Sequence, residues 1–434
     1  MEQKYIDETN NLINFVSASP SPFHVVDNIA EMLQKRGFEE LCLKKSWEIK
    51  PNGRYFTRRN GTAIIAFSVG SDAPTEGLRI IAAHSDAPTF RIKPEPEMLV
   101  DNKLLKLNTE TYGGAILHTW MDRPLSVAGR VTLRSSDALH PKKQLIDFQQ
   151  PIGIIPSLAI HMDRGINEQM SLNKQSDMPL LVQATDGSKL THNTLKNIIA
   201  NKLSVDVSDV LDYDLTLYDT EKGTIVGFDN SMVLCPKLDD LSMAYAAVCA
   251  MCDTSDSTIN RVMCVFDNEE VGSGTKQGAC SPLLKNVLER ISEKLNFTAE
   301  QRQMMTYNSF LISADQAHAL HPNKPYTHDP ILHPTLNGGP VIKVAANQKY
   351  MTDADSSAVF IQLCAEIDVP CQKFVNRSDI AGGSTLGNLL TSQIDIHGVD
   401  IGNPMIGMHS ARETGGVKDQ LFVRQVFTYF FSKK

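Results

Sequence analysis

Three short apolar runs constrain this chain more than any other feature: "LRIIAAH" (78–84), "RVMCVFD" (261–267) and "SFLISAD" (309–315). Side chains alternate between the two faces of a strand, so a strand apolar at every position is buried on both. Helix-type segments separate such runs: "LDDLSMAYAAVCAMC", "SPLLKNVLERISEKL", "DADSSAVFIQLCAEI" and the closing "KDQLFVRQVFTYFF". Strands alternating with helices predict an α/β fold with a mainly parallel central sheet, flanked by helices. Upstream, "SASPSPFHVVDNIAEMLQKRGFEEL" carries Ser and Pro before an apolar periodic run, with Gly37 near its end, and predicts a helix. "TAIIAFSV", "CQKFVN" and "GVDIG" predict further strands.

The alternation is interrupted once. Between about residues 93 and 230 the chain reads as short β-type segments: "KLLKLNTETYGG", "LSVAGRVTLR", "PIGIIPSLAIH", "YDLTLYD" and "GTIVGFDN". One helix-type stretch, "THNTLKNIIANKL", lies among them. The expectation is a discontinuous α/β domain over 1–92 and 233–434, with a β-rich domain inserted over 93–232.

At 434 residues two domains are the natural expectation, and the net charge of −8 disfavours nucleic-acid or anionic-membrane surfaces. No apolar run approaches the ~18 residues of a membrane span. The polar, acidic start "MEQKYIDETNNLINF" lacks the pattern of a secretory signal, and the expected location is cytoplasmic. Cys249 and Cys252 form a C-x-x-C, but within an apolar helical stretch and with no second pair nearby, so they read as core cysteines.

In open α/β sheets, ligands bind beyond the carboxyl ends of the strands. Five segments deliver acids or histidines there: His84 and Asp86; Asp239 and Asp240; Asp267, Glu269 and Glu270; Asp315, with His318 and His321 downstream; and His409. Singly, each is more often a turn former, a helix cap or a satisfied histidine. Together they predict a cluster of nitrogen and oxygen donors suited to zinc, with manganese or cobalt as alternatives. Such an acid-rich set has room for two divalent ions and one further carboxylate left to carry a proton. Glu269 and Glu270 raise a geometric condition. Neighbours on a strand face opposite ways, so both serve one cavity only if the strand stops near Asp267 or Asn268, with Gly272 and Gly274 marking the turn. Those glycines also resemble a loosened dinucleotide-binding pattern, but the spacing is off by one and two glutamates would crowd a pyrophosphate.

The motifs "AAHSDAPTFRIKP", "KLDDL", "FDNEEVGS", "ISADQAHALHPN", "NGGPVIKVAANQKY", "GGSTLG" and "MHSARE" resemble, in the same order and over nearly the whole chain, the aspartyl aminopeptidase family of two-zinc exopeptidases. "SLAIHMDRGINE" extends the resemblance into the insertion. It implies a zinc-dependent aminopeptidase acting on peptides with a free N-terminus. His84 and Asp315 are implied as ligands of one metal ion, Glu270 and His409 of the other, and Asp239 as the bridge. Asp86 would orient His84, Glu269 would be the general base, and Asp239–Asp240 would be a cis peptide. The β insertion is implied to dimerise, the dimers to assemble into a dodecamer, and His161 to reach a neighbouring subunit's site. Lys343 matches a basic substrate contact that implies acidic N-terminal residues. Ala381 and Gly382 depart from the family pattern beside that pocket, which leaves a neutral or broad preference open. Two further readings stand beside this one: a two-metal hydrolase of another amide, and a metal-bound assembly protein without catalysis.

Overall fold

The structure, a computed structural model, describes residues 1–70, 76–185, 193–254 and 258–433. Its centre is a nine-stranded sheet. In spatial order the strands are Glu39–Glu40, Arg54–Arg59, Ala63–Ser68, Asn260–Phe266, Leu78–His84, Phe310–Ala314, His397–Gly402, Val341–Val344 and Gln372–Val375. The four from Asn260–Phe266 to His397–Gly402 run parallel. Antiparallel pairings lie on either side of that block.

Alternation along each central strand splits the apolar side chains between two cores. Ile64, Ala66, Ile81, Ala83, Met263, Val265, Ile312 and Ala314 face one core, with the helices Gln3–Ala18, Pro22–Lys35, Leu238–Asp253 and Asp419–Ser432. Ile65, Phe67, Ile80, Ala82, Val262, Cys264, Phe266 and Leu311 face the other, with the helix Leu283–Lys294. This is the two-sided burial expected of unbroken apolar runs. Cys249 and Cys252 lie buried on Leu238–Asp253, where burial pushes their thiols up to about 12 and about 11. All eight cysteines are free thiols.

A second sheet is six-stranded and antiparallel: Lys142–Asp147, Leu125–Leu133, Val210–Asp219, Thr89–Val100, Leu104–Tyr112 and Leu180–Ala184. It has its own core, including Phe90, Trp120, Val127, Val131, Leu180 and Leu215. The strand Thr89–Val100 crosses position 93. Thr224–Val226 and Met232–Cys235 pair instead into a third sheet with Glu413–Gly416, Pro404–Ile406 and Ala317–His318. The second sheet is therefore planted at the mouth of the first, leaving four residues after His84. Its return strand leads through the third sheet to Asp239.

Several local readings differ from the outcome. "PIGIIPSLAIH" forms only isolated bridges, Leu125 to Gly153 and Ile154 to Leu181. Its prolines, Pro151 and Pro156, lack the N–H a ladder needs. Helices at Gln3–Ala18, Ala299–Tyr307 and Leu386–Thr391 went unread in the sequence. Of "THNTLKNIIANKL", residues 194–203 are helical, and Thr191 and His192 lie outside the described residues.

Candidate active site

Strand ends bring the predicted residues together. Leu78–His84 terminates in His84, and Phe310–Ala314 is followed at once by Asp315. Asn260–Phe266 stops before Asp267, and Asn268 turns left-handed (φ 64°). Glu269–Val271 then makes one short 3-10 turn, closed by Gly272 at φ 91°. The strand thus ends where the two glutamates require it. Ser273, not Gly274, takes the second left-handed position (φ 58°). Asp239 and Asp240 open the helix Leu238–Asp253 and are joined by a cis peptide.

Asp239 is the centre of the arrangement. Its Oδ1 stands 3.5 Å from His84 Nε2, and its Oδ2 stands 3.4 Å from His409 Nε2. His84 Nε2 is also 3.8 Å from Asp315 Oδ1, and His409 Nε2 is 3.3 Å from Glu270 Oε2. Two donor groups therefore overlap at Asp239: His84, Asp239, Asp240 and Asp315 in one, Asp239, Glu270 and His409 in the other. A further group joins His84 with Glu269 and Glu270.

Around these lies a shell of fixed contacts. His84 Nδ1 is 3.1 Å from the Asp86 carbonyl and 3.3 Å from Asp86 Oδ1. The Asp86 carboxylate accepts the backbone N–H groups of Glu269 (3.1 Å) and Glu270 (3.2 Å). Asp240 Oδ2 accepts the His84 N–H at 3.1 Å. Glu413 is buried and accepts the N–H of His409 at 2.8 Å and of Asp239 at 3.1 Å. Glu413 was not singled out in the sequence, although it lies four residues after His409 in "MHSARE".

Electrostatics follow from crowding acids in a dry place. Burial raises Glu269 to about 8, with Asp315 adding to the effect and His84 opposing it. Burial, then Asp239, raises Glu270 well above its ordinary range. Burial opposes a charge on His84, but Asp240, Asp239, Asp315 and Asp86 outweigh it and raise its pKa. Asp239 Oδ1, Asp240 Oδ1 and Glu270 Oε1 are buried and receive no hydrogen bond. An uncompensated buried carboxylate costs several kcal/mol. A divalent cation fits this donor set, and imidazole with carboxylate suits zinc.

Lys343 is also here. It is buried, its Nζ lies 3.2 Å from Asp315 Oδ2, and it donates to the Gln316 carbonyl at 3.1 Å. Its ammonium stays charged despite burial because Asp315, Tyr350 and Asp400 raise its pKa. His318 and His321 are not in the cluster. His318 stacks edge-on against Phe374, and His321 Nδ1 accepts from the Asn323 N–H. His161 sits apart, exposed in a turn-rich stretch with Leu158, Ile160 and Met162.

Comparison with known proteins converges on one family. The model of the family described as aminopeptidase I zinc metalloprotease (M18) matches residues 15–431. A probable M18 family aminopeptidase 2 from Clostridium acetobutylicum is 46% identical over 428 residues, spanning 98% of this chain and 99% of the relative. Ape4, solved in complex with Nbr1, superposes with a TM-score of 0.94 at 37% identity, covering 99% of this chain and 86% of that one. The S. cerevesiae mApe1 dodecamer superposes with a TM-score of 0.86 at 29% identity, covering 99% and 97%.

Proposed function

The chain belongs to the M18 family of zinc aminopeptidases, and from that membership we propose how its site works and what it acts on. The activity is release of the N-terminal residue from a peptide. The observation that carries our reading is Asp239, whose two oxygens face two histidines from different segments. On this reading His84, Asp239 and Asp315 would hold one divalent ion, and Asp239, Glu270 and His409 would hold a second. Zinc is the expected ion, with manganese or cobalt compatible with the same donors. Ions bound there supply Lewis-acid polarisation of the scissile carbonyl and a water of lowered pKa.

The chain's own groups do the rest. Glu269 takes a proton from the attacking water and returns it to the leaving amine. Asp86 fixes His84 through Nδ1 and holds the Glu269–Glu270 turn through its N–H groups.

For the side chain of that residue we propose an acidic preference, with Lys343 as its cationic contact. A neutral preference is the second reading, favoured by one observation: Lys343 already pairs with Asp315 and the Gln316 carbonyl. We further propose a discontinuous catalytic unit (1–92, 233–434) with a β-rich insertion (93–232) that dimerises, and assembly into a dodecamer like that of the mApe1 neighbour. The exposed Leu158, Ile160 and Met162 beside His161 support a subunit contact there, with His161 reaching the neighbouring site. Among the described residues no helix is long and apolar enough to cross a membrane, and we propose a cytoplasmic location.

The test is a kinetic screen of the purified protein on free and N-blocked aminoacyl peptides with added zinc, manganese or cobalt. Free peptides should be cleaved, Asp and Glu fastest. Equal cleavage of blocked peptides would contradict the exopeptidase reading.

A further inference from the structure

We propose that the five-residue segment 112–116, where the inserted sheet first turns back toward the central one, is a positioning element that holds both cluster histidines in register. This rests on the reading of the cluster as a metal centre.

The segment begins at Tyr112, the last residue of the strand Leu104–Tyr112. Its hydroxyl donates to Asp86 Oδ2 at 2.7 Å and accepts from Asn268 Nδ2 at 2.8 Å. Asp86 in turn fixes His84 Nδ1 and the N–H groups of both glutamates. Burial and the Asp86 charge keep the phenol neutral, so it remains a donor.

Two glycines follow, and both lie close against the cluster. Gly113 is at φ 72°, and a Cβ there would come within 3.1 Å of Glu270 Cβ. A Cβ on Gly114 would come within 3.1 Å of His409 Nδ1. That ring nitrogen lies against Gly114, and the Ile116 N–H donates to the His409 carbonyl at 3.0 Å. One short segment therefore touches Asp86, Asn268, Glu270 and His409.

The two histidines end up alike. Each turns Nδ1 toward a fixed neighbour, Asp86 for His84 and the Gly114 backbone for His409, and each presents Nε2 to Asp239. A proton fixed on Nδ1 leaves the Nε2 lone pair facing the cluster, the form a metal ligand must take. The insertion thus serves the centre of its own chain, in addition to any role between chains. It also explains why the β-type run "KLLKLNTETYGG" ends in a tyrosine and two glycines.

The experiment compares the full-length protein with Tyr112→Phe and Gly114→Ala. Zinc affinity is measured by competition with a chromophoric chelator, the cobalt-loaded form by visible absorption, and kcat and KM on one free peptide. Assembly size and melting temperature are recorded alongside. Tyr112→Phe removes one hydroxyl and little volume. It should weaken zinc binding by up to about tenfold, since it removes a partner of Asp86 and not Asp86 itself. It should also shift the cobalt spectrum and lower kcat with KM little changed, at unchanged assembly size. Gly114→Ala should weaken zinc binding in the same direction. Wild-type affinity, spectrum and kcat in both variants would overturn the proposal, as would losses seen only where the assembly dissociates. A wild-type protein that binds no zinc and cleaves no peptide would instead overturn the underlying reading of the site.

Discussion

Glu413 Oε1 accepts the backbone N–H of His409 at 2.8 Å. With Oε2 on the Asp239 N–H at 3.1 Å, one buried carboxylate ties two segments of the cluster together by their main chains. Each oxygen accepts one main-chain N–H. Glu413→Gln would turn an NH2 group against one of those N–H groups, at a cost of about 1–3 kcal/mol. We expect a lower melting temperature and weaker zinc retention on dialysis against chelator, with the protein still folded by circular dichroism. Unchanged retention would separate Glu413 from the metal centre.

Glu269 and Glu270 are neighbours with different expected losses. Glu269→Ala should lower kcat by about 10²–10⁴ while metal analysis still finds the wild-type content. Glu270→Ala should lose metal as well as activity. If Glu269→Ala loses metal to the same extent, Glu269 is a ligand and the division of labour fails.

Lys343→Met tests side-chain preference. If its ammonium meets the substrate, kcat/KM should fall at least tenfold more for Asp and Glu N-termini than for Leu. Equal losses for all three, together with weaker zinc binding, would mean that Lys343 serves Asp315 alone.

Much of this was legible before the structure, for a physical reason. The unbroken runs around Ile80, Val262 and Leu311 are three adjacent strands of a parallel block. The carboxyl end of each strand is fixed by direction alone, so His84, Asp315 and the Glu269–Glu270 pair could be assigned to one mouth. What stayed hidden depended on long-range approach. Nothing local marks Tyr112 as the partner of Asp86, because the meeting is made by the return of a hairpin in the second sheet. Glu413 resembles any acid in a turn until its oxygens are seen on two N–H groups. Helix Ala299–Tyr307 buries only Met305, so its apolar pattern is too weak to read.

Away from the cluster, Asp419 gives a pH prediction. It is buried at the start of the last helix and accepts the N–H groups of Asn337 (2.7 Å) and Gly339 (2.9 Å). Burial raises it from 3.8 to about 7 although both hydrogen bonds oppose the shift. Between those values the folded state binds the proton more tightly, so this group's stabilisation is complete below about pH 4 and is lost as pH rises through 7. The stability of wild type relative to Asp419→Asn should therefore fall between pH 5 and pH 8.5. A difference that is flat or rises over that range would show that the carboxyl stays ionised in the fold.

If Asp239 joins two metal positions while Glu269 stays free, the zinc-loaded protein carries two ions in this one cluster. Anomalous diffraction at the zinc edge, on crystals of the zinc-loaded protein, tests it most directly. Two peaks are expected, one among His84, Asp239 and Asp315 and one among Asp239, Glu270 and His409, with Glu269 bound to neither. A single peak, or two peaks with Glu269 as a ligand, would contradict it.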